Sequence, residues 1–166
     1  HLTQAMLRWM APFLSFTAEE AWKIFGNSDS IFLEEFWSLP EPDAALLAKW
    51  ARVRELRELV NKDIEVLRSA GQVGSSLQAD VTLTVPPQDY ALLSSLGDDL
   101  KFVLITSAAD LIAGDAVQVS AKVADGLKCE RCWHYTDDVG QDAAHPTLCG
   151  RCISNLFGAG ETRTVA

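Results

Sequence analysis

No apolar run in this 166-residue chain approaches the roughly 20 residues a helix needs to cross a bilayer, which excludes a span of that kind. The first residues, His1-Leu2-Thr3-Gln4-Ala5-Met6, lack the basic-then-apolar order of a secretory leader, so the chain reads as cytoplasmic. Glycine (10) and proline (6) are not in excess and 48% of residues are hydrophobic, which excludes collagenous, low-complexity and disordered classes. Internal repeats are absent. Histidine is scarce: His1, His134 and His145 are all there is, and none lies in a nucleophile or metalloprotease motif. Neither G-x-x-x-x-G-K-[ST] nor G-x-S-x-G occurs, so no active site is legible. The opening on histidine, inside an amphipathic pattern, reads as a piece of a longer protein.

Basic charge is short as well. Lys+Arg number 14 against Asp+Glu 23, a net charge of -9. A free-standing nucleic-acid binder is usually basic, because phosphate neutralisation supplies most of its non-specific affinity. Taken in order, only residues 49–68 are net positive, with six basic and four acidic side chains. This composition does not make the chain self-sufficient for nucleic-acid binding.

What is present begins with helical patterning. Leu2, Ala5, Met6 and Trp9 fall at helix spacing until Pro12, which has no amide hydrogen to donate, interrupts. Thr17 and Glu20 predict a capping box for a second helix, and Gly26 a left-handed stop. Asn27, Ser28, Asp29, Pro40 and Pro42 mark a loop, with an apolar patch at Ile31, Phe32 and Leu33. The longest helix is expected from Asp43 to about Ala70, ending at Gly71, with Leu46, Val53, Leu56, Val60, Ile64 and Leu67 in one stripe. Arg54, Arg57, Asn61 and Arg68 line one flank of that stripe, and Glu55, Glu58, Lys62 and Glu65 are placed on the far side. The flank is either a solvated edge, with Glu58 and Lys62 as an i,i+4 pair, or a strip that faces phosphate.

The period changes after Gly71. Leu77, Ala79, Val81, Leu83 and Val85 alternate with polar residues as in a half-buried strand, and Pro86-Pro87 ends it. A short helix is expected over 88–97, Phe102 to Ile105 is ambiguous, and Val117, Val119, Ala121 and Val123 alternate again. Gly114-Asp115 predicts a hairpin into that last strand. The expected fold class is α+β: a helical segment over 1–72, a small mixed α/β unit over 73–124, and a ribbon with its tail over 125–166.

All four cysteines lie in the last quarter, as Cys129-Glu130-Arg131-Cys132 and Cys149-Gly150-Arg151-Cys152. Two residues between cysteines let a tight turn aim both sulfurs at one point, and two such turns supply a tetrahedron around Zn²⁺ at about 2.3 Å. Disulfides are the alternative, but a cytoplasmic chain is a poor place for them. A filled Cys₄ shell leaves no position for water, so the expected zinc is structural, one per chain. His134 and His145 are expected at the surface or in turns. Arg131 and Arg151 hold equivalent third positions in the two knuckles, where they either offset thiolate charge or contact phosphate. Trp133 and Tyr135 could stack on a base, although a small zinc module often buries an aromatic, and packing is the preferred reading for Trp133.

The order of these features resembles the C-terminal part of bacterial isoleucyl-tRNA synthetase. The resemblance rests on Met10-Ala11-Pro12-Phe13-Leu14-Ser15-Phe16-Thr17-Ala18-Glu19-Glu20-Ala21-Trp22, on Val60-Asn61-Lys62 with Ile64-Glu65 and Arg68, and on Gly74-Ser75-Ser76-Leu77. It continues through Lys128 to Tyr135 and His145 to Cys152, which resemble that family's terminal zinc ribbon. The resemblance implies a class I aminoacyl-tRNA synthetase joining isoleucine to its tRNA with ATP. This region would be the end of the helical anticodon-binding domain, a junction unit and the ribbon. The ATP-site signatures His-Ile-Gly-His and Lys-Met-Ser-Lys-Ser do not occur here, so ATP and catalysis would belong to an upstream domain.

On that resemblance Cys129, Cys132, Cys149 and Cys152 hold zinc, and Arg54, Arg57, Asn61, Arg68, Arg131, Trp133, Tyr135 and Arg151 are positions expected to face RNA. The implied partners are tRNA(Ile) and the remainder of the synthetase chain, with no membrane and a monomeric state. Two rivals stand beside it. One is the ribbon of another nucleic-acid enzyme of the DNA-glycosylase kind, which needs an N-terminal proline where this chain has His1. The other is a non-catalytic protein-interaction module.

Overall fold

The computed structural model describes residues 1–27 and 29–162, so Ser28 of the expected loop and the last four residues of the expected tail lie outside it. The chain divides into two compact units, His1–Ala44 and Ala45–Ala166.

In the first unit, α1 (Leu2–Met10) ends directly before Ala11-Pro12, as the missing proline amide requires. Helix α2 (Ser15–Ile24) begins earlier than expected: Thr17 lies inside it, no side chain caps it, and Ser15 Oγ donates back to the Ala11 carbonyl at 3.0 Å. The expected capping box is therefore absent here, and the carboxylate that matters is Glu19. It accepts from the Ile31 amide (2.9 Å) and the Ser30 hydroxyl (3.0 Å), which hold it below the usual carboxylate range and fasten a short 3₁₀ turn, Ile31–Leu33, to α2. Leu7, Ala11, Ala18, Trp22 and Ile31 make the core. Arg8 is buried between the rings of Trp22 and Trp37, its guanidinium 4.5 and 5.1 Å from their centroids, and it pairs with Glu34.

The second unit is built on one long helix and a three-stranded sheet. Helix α3 (Ala44–Ser69) ends before Gly71, whose φ of 71° supplies the left-handed stop. Strand β1 (Ala79–Val85) is shorter than expected, because Ser76–Gln78 forms a 3₁₀ turn that carries a Ser75/Gln78 capping box. Helix α4 (Pro87–Ser94) opens with a proline at its first turn, where no amide is needed, and α5 (Leu100–Leu104) resolves the ambiguous apolar run as helix. Strand β2 (Ala108–Ala113) runs parallel to β1 with Leu83 opposite Leu111, and β3 (Gln118–Val123) runs antiparallel with Leu83 opposite Val119.

The strand order β2-β1-β3 overturns the expected hairpin: β1 lies between the strands that Gly114-Asp115 connects, so the turn joins strands that do not pair. The β1-to-β2 link is a helical crossover, the connection parallel pairing demands. Ala79, Val81, Leu83 and Val85 face one way and pack with Val53, Leu56, Val60 and Ile64 of α3 and with Leu93, Leu96, Leu100 and Leu104. Thus α3, grouped by sequence with the N-terminal helices, shares its core with the sheet.

Polar contacts reinforce this core. Arg52 grips Asp89 of α4 with two nitrogens at 2.9 and 2.7 Å. Asp63 of α3 accepts the outward amide of Ala121 at 2.6 Å, which occupies an edge amide on β3. Replacing Leu56, fully buried, with alanine should cost about 2–5 kcal/mol of stability, as cavity-forming changes do. Val66→Ala, on the exposed side of the same helix, should stay within about 0.5 kcal/mol. Urea unfolding of both variants checks this, and equal losses would mean that α3 does not present the Leu56 face to the sheet.

Candidate metal centre and nucleic-acid interface

The ribbon is two knuckles and little else. The first sits on a two-stranded hairpin, β4 (Leu127–Lys128) against β5 (Tyr135–Thr136). Within it the Trp133 amide donates to the Cys129 carbonyl and the Cys129 amide to the His134 carbonyl, both at 2.9 Å, so Cys129 and Cys132 are turned to the same side. Gly126, with φ of 92°, leads into β4: a Cβ there would meet the Thr136 backbone at 2.7 Å. The second knuckle opens α6 (Gly150–Phe157), with Cys149 as its N-cap residue and Cys152 in its first turn.

A side chain missed by the sequence reading shapes this second turn. Asp138 accepts from the Gly150 amide (2.7 Å) and the Thr136 hydroxyl (2.6 Å), which hold its carboxyl below the usual range. The carboxylate lies so close that a Cβ on Gly150 would sit 2.8 Å from it. An acidic residue twelve positions before a knuckle glycine carries no signal that sequence could have offered.

The four sulfurs converge within 4.8 Å of one another. Cys132 and Cys149 are 3.7 Å apart, close to the roughly 3.8 Å edge of a tetrahedron with 2.3 Å metal–sulfur bonds. No disulfide forms. Burial works against the Cys129 thiolate, but the amides of Cys132, Cys149 and Arg131 outweigh it and bring the thiol down to about 6. Burial pushes Cys132 and Cys149 up. Full ionisation of this set therefore calls for a cation at its centre, because a coordinating thiol is deprotonated outright. The donor set is all sulfur, which fits a structural zinc. Val139 and Leu148 complete the small core around it. His134 is half-buried and edge-on to Phe102 at 5.3 Å, and His145 stacks on Phe157 at 4.0 Å. Neither belongs to the cluster.

The positions expected to face RNA fall into two groups. Arg54 and Asn61 are exposed on α3, and Arg57 is half-buried with its Nε sequestered from solvent and unbonded. Arg131 is exposed and reaches Cys152 Sγ at 3.6 Å, as charge offset would have it. Trp133 is 58% exposed, contrary to the preferred packing, since Val139 and Leu148 already fill the ribbon core. Its φ of 67° is costly for a tryptophan, and Lys128 lies 4.8 Å over its ring.

The other group is engaged within the protein. Arg68 pairs with Glu65 at 2.5 Å, which puts Glu65 beside the basic flank rather than on the far side. Among the described residues the ion pairs within α3 are this one and Arg52–Glu55, not Glu58–Lys62. Arg151 holds Glu161 by two bonds, 2.6 and 2.8 Å, and lies 4.5 Å over Phe102. The Tyr135 hydroxyl accepts from Gln78 Nε2 at 3.0 Å.

A helical segment leading through a small sheet to an all-sulfur ribbon is the setting in which the family matches fall. Residues 1–83, half the chain, match the anticodon-binding domain of tRNA ligase, and the chain belongs to that family. Residues 126–155 match the zinc finger found in FPG and IleRS, and so take in both knuckles. Among individual proteins, it is 55% identical along its whole length to an isoleucine–tRNA ligase of Cupriavidus pinatubonensis. It is 55% identical over 98% of its length to that of Thiobacillus denitrificans, and 56% over its whole length to that of Burkholderia cenocepacia. The chain spans 18% of the length of these relatives. The resemblance to isoleucyl-tRNA synthetase is thereby borne out, and the glycosylase and protein-interaction readings are not favoured. No helix among the described residues is long and apolar enough to cross a membrane.

Zinc should be bound at one ion per chain. Its removal by chelation should unfold the 125–157 segment while leaving the α3–sheet core intact, because so small a core depends on the metal. Hydrogen exchange of metal-loaded and chelated protein checks this, and a ribbon that stays protected without metal would count against it.

Proposed function

We propose that this chain is the tRNA-gripping part of an isoleucine–tRNA ligase, positioning tRNA(Ile) near its anticodon for ATP-dependent aminoacylation carried out elsewhere in the parent protein. The observation that carries it is the coincidence, in one chain, of the anticodon-binding family match with a four-sulfur cluster inside the matched zinc finger. The names of the relatives supply the amino acid. Cys129, Cys132, Cys149 and Cys152 are the zinc ligands in this reading, and the ion is structural because four thiolates leave no open position.

The RNA-facing groups are Arg54, Arg57 and Asn61 on α3 and Arg131 and Trp133 on the ribbon. The exposed Trp133 ring, held in a strained conformation beside a lysine, suits stacking on an unpaired base, with Arg131 for phosphate. Arg68, Tyr135 and Arg151 support the fold first, through the contacts described above. The net charge of -9 fits a part whose parent supplies most phosphate contacts. The parent acts as a cytoplasmic monomer, with the rest of its own chain as the second partner.

Arg54→Glu in the full synthetase should weaken tRNA(Ile) binding about tenfold at physiological salt, as reversal of a phosphate contact does. ATP–pyrophosphate exchange with isoleucine should be unaffected. Equal loss of both, or no preference of the wild-type enzyme for tRNA(Ile) over other tRNAs and duplex DNA, would contradict the reading.

A further inference from the structure

One buried hydroxyl joins the ribbon to the sheet. Ser107 lies between α5 and β2 and is 4% exposed. Its amide donates to the Ala79 carbonyl at 2.9 Å, which sets it against the start of β1. Its hydroxyl donates to the Leu77 carbonyl at 2.6 Å and accepts from the Tyr135 amide at 2.7 Å. A single atom thus bridges the chain entering β1 and the strand leaving the first knuckle. Only a group that donates and accepts at one point can do this. Tyr135 is held a second time through its own hydroxyl, by Gln78 from the same entry segment. Phe102 of α5 extends the seam, meeting His134 edge-on and lying under Arg151 of the second knuckle.

We infer that Ser107 is a positioning residue: it fixes the orientation of the zinc ribbon on the α/β unit, and with it the placement of Trp133 and Arg131 toward RNA. This rests on the tRNA reading above. Removal of the hydroxyl deprives a partly buried amide and a partly buried carbonyl of their shared partner, whereas it touches no cysteine and no RNA-facing side chain. Metal retention and RNA placement are therefore separable.

The test uses the full-length, zinc-loaded synthetase with Ser107→Ala and Ser107→Thr. In Ser107→Ala, one zinc per chain and isoleucine activation should persist. Amide exchange around Tyr135 should quicken about tenfold, and the KM for tRNA(Ile) should rise by a similar factor with kcat nearly unchanged. Ser107→Thr, which keeps the hydroxyl, should restore both. Unaltered exchange in Ser107→Ala overturns the seam, and faster exchange with unaltered KM overturns the positioning role. Trp133→Ala is the arm that separates the two claims: if it leaves the tRNA KM unmoved, the RNA contact itself fails and the positioning role falls with it, while exchange still decides whether Ser107 fastens the ribbon.

Discussion

Four sulfurs held within 4.8 Å of one another are the constraint on which the C-terminal part of this chain depends. Between residues 125 and 162 the buried residues are Cys129, Val139, Cys149 and Cys152, with Cys132 and Leu148 packed against them, which is too little apolar surface to offset the entropy of ordering such a segment. Metal–thiolate bonding supplies what the core lacks. The protein's own contribution is to turn two pairs of cysteines inward, through a glycine-led hairpin on one side and a helix N-terminus clamped by Asp138 on the other.

That arrangement settles how charge is used around the ribbon. An all-sulfur site is anionic even with a divalent ion, and Arg131 stands against one sulfur while Arg151 is matched by Glu161. On α3, likewise, Arg68 is matched by Glu65 and Arg52 by Glu55 and Asp89, which leaves Arg54, Arg57 and Asn61 as the part of the basic flank without an ion-pair partner among the described residues. Under the proposed function, a chain of net charge -9 would offer phosphate a few uncommitted cations at defined places, not a general positive field. In that reading specific gripping would depend on geometry, and the attachment of the ribbon to the sheet would bear on function.

Legibility from sequence followed the range of the interaction. The knuckles were readable because both members of each pair sit within one turn, and α3 because Val53, Leu56, Val60 and Ile64 repeat at helical spacing over many residues. Strand β2 was not, since Ala108-Ala109-Asp110-Leu111-Ile112-Ala113 lacks alternation and is a strand by virtue of its pairing with β1. The Gly114-Asp115 turn has the local chemistry of a hairpin, which cannot reveal that a third strand lies between its neighbours. The habits of small modules point to packing for Trp133, whereas Val139 and Leu148 occupy that space. The side chains least visible beforehand, Asp63, Ser107 and Asp138, act through hydrogen bonds to backbone groups remote in sequence or fixed only by the fold.

The claim beneath all of this is that Cys129, Cys132, Cys149 and Cys152 together enclose one zinc ion. X-ray absorption at the zinc edge, on protein purified under reducing conditions, addresses it directly. A single shell of four sulfurs at about 2.3 Å is the expected result. A shell containing nitrogen or oxygen, or zinc absent from a ribbon that is nonetheless folded, would contradict it.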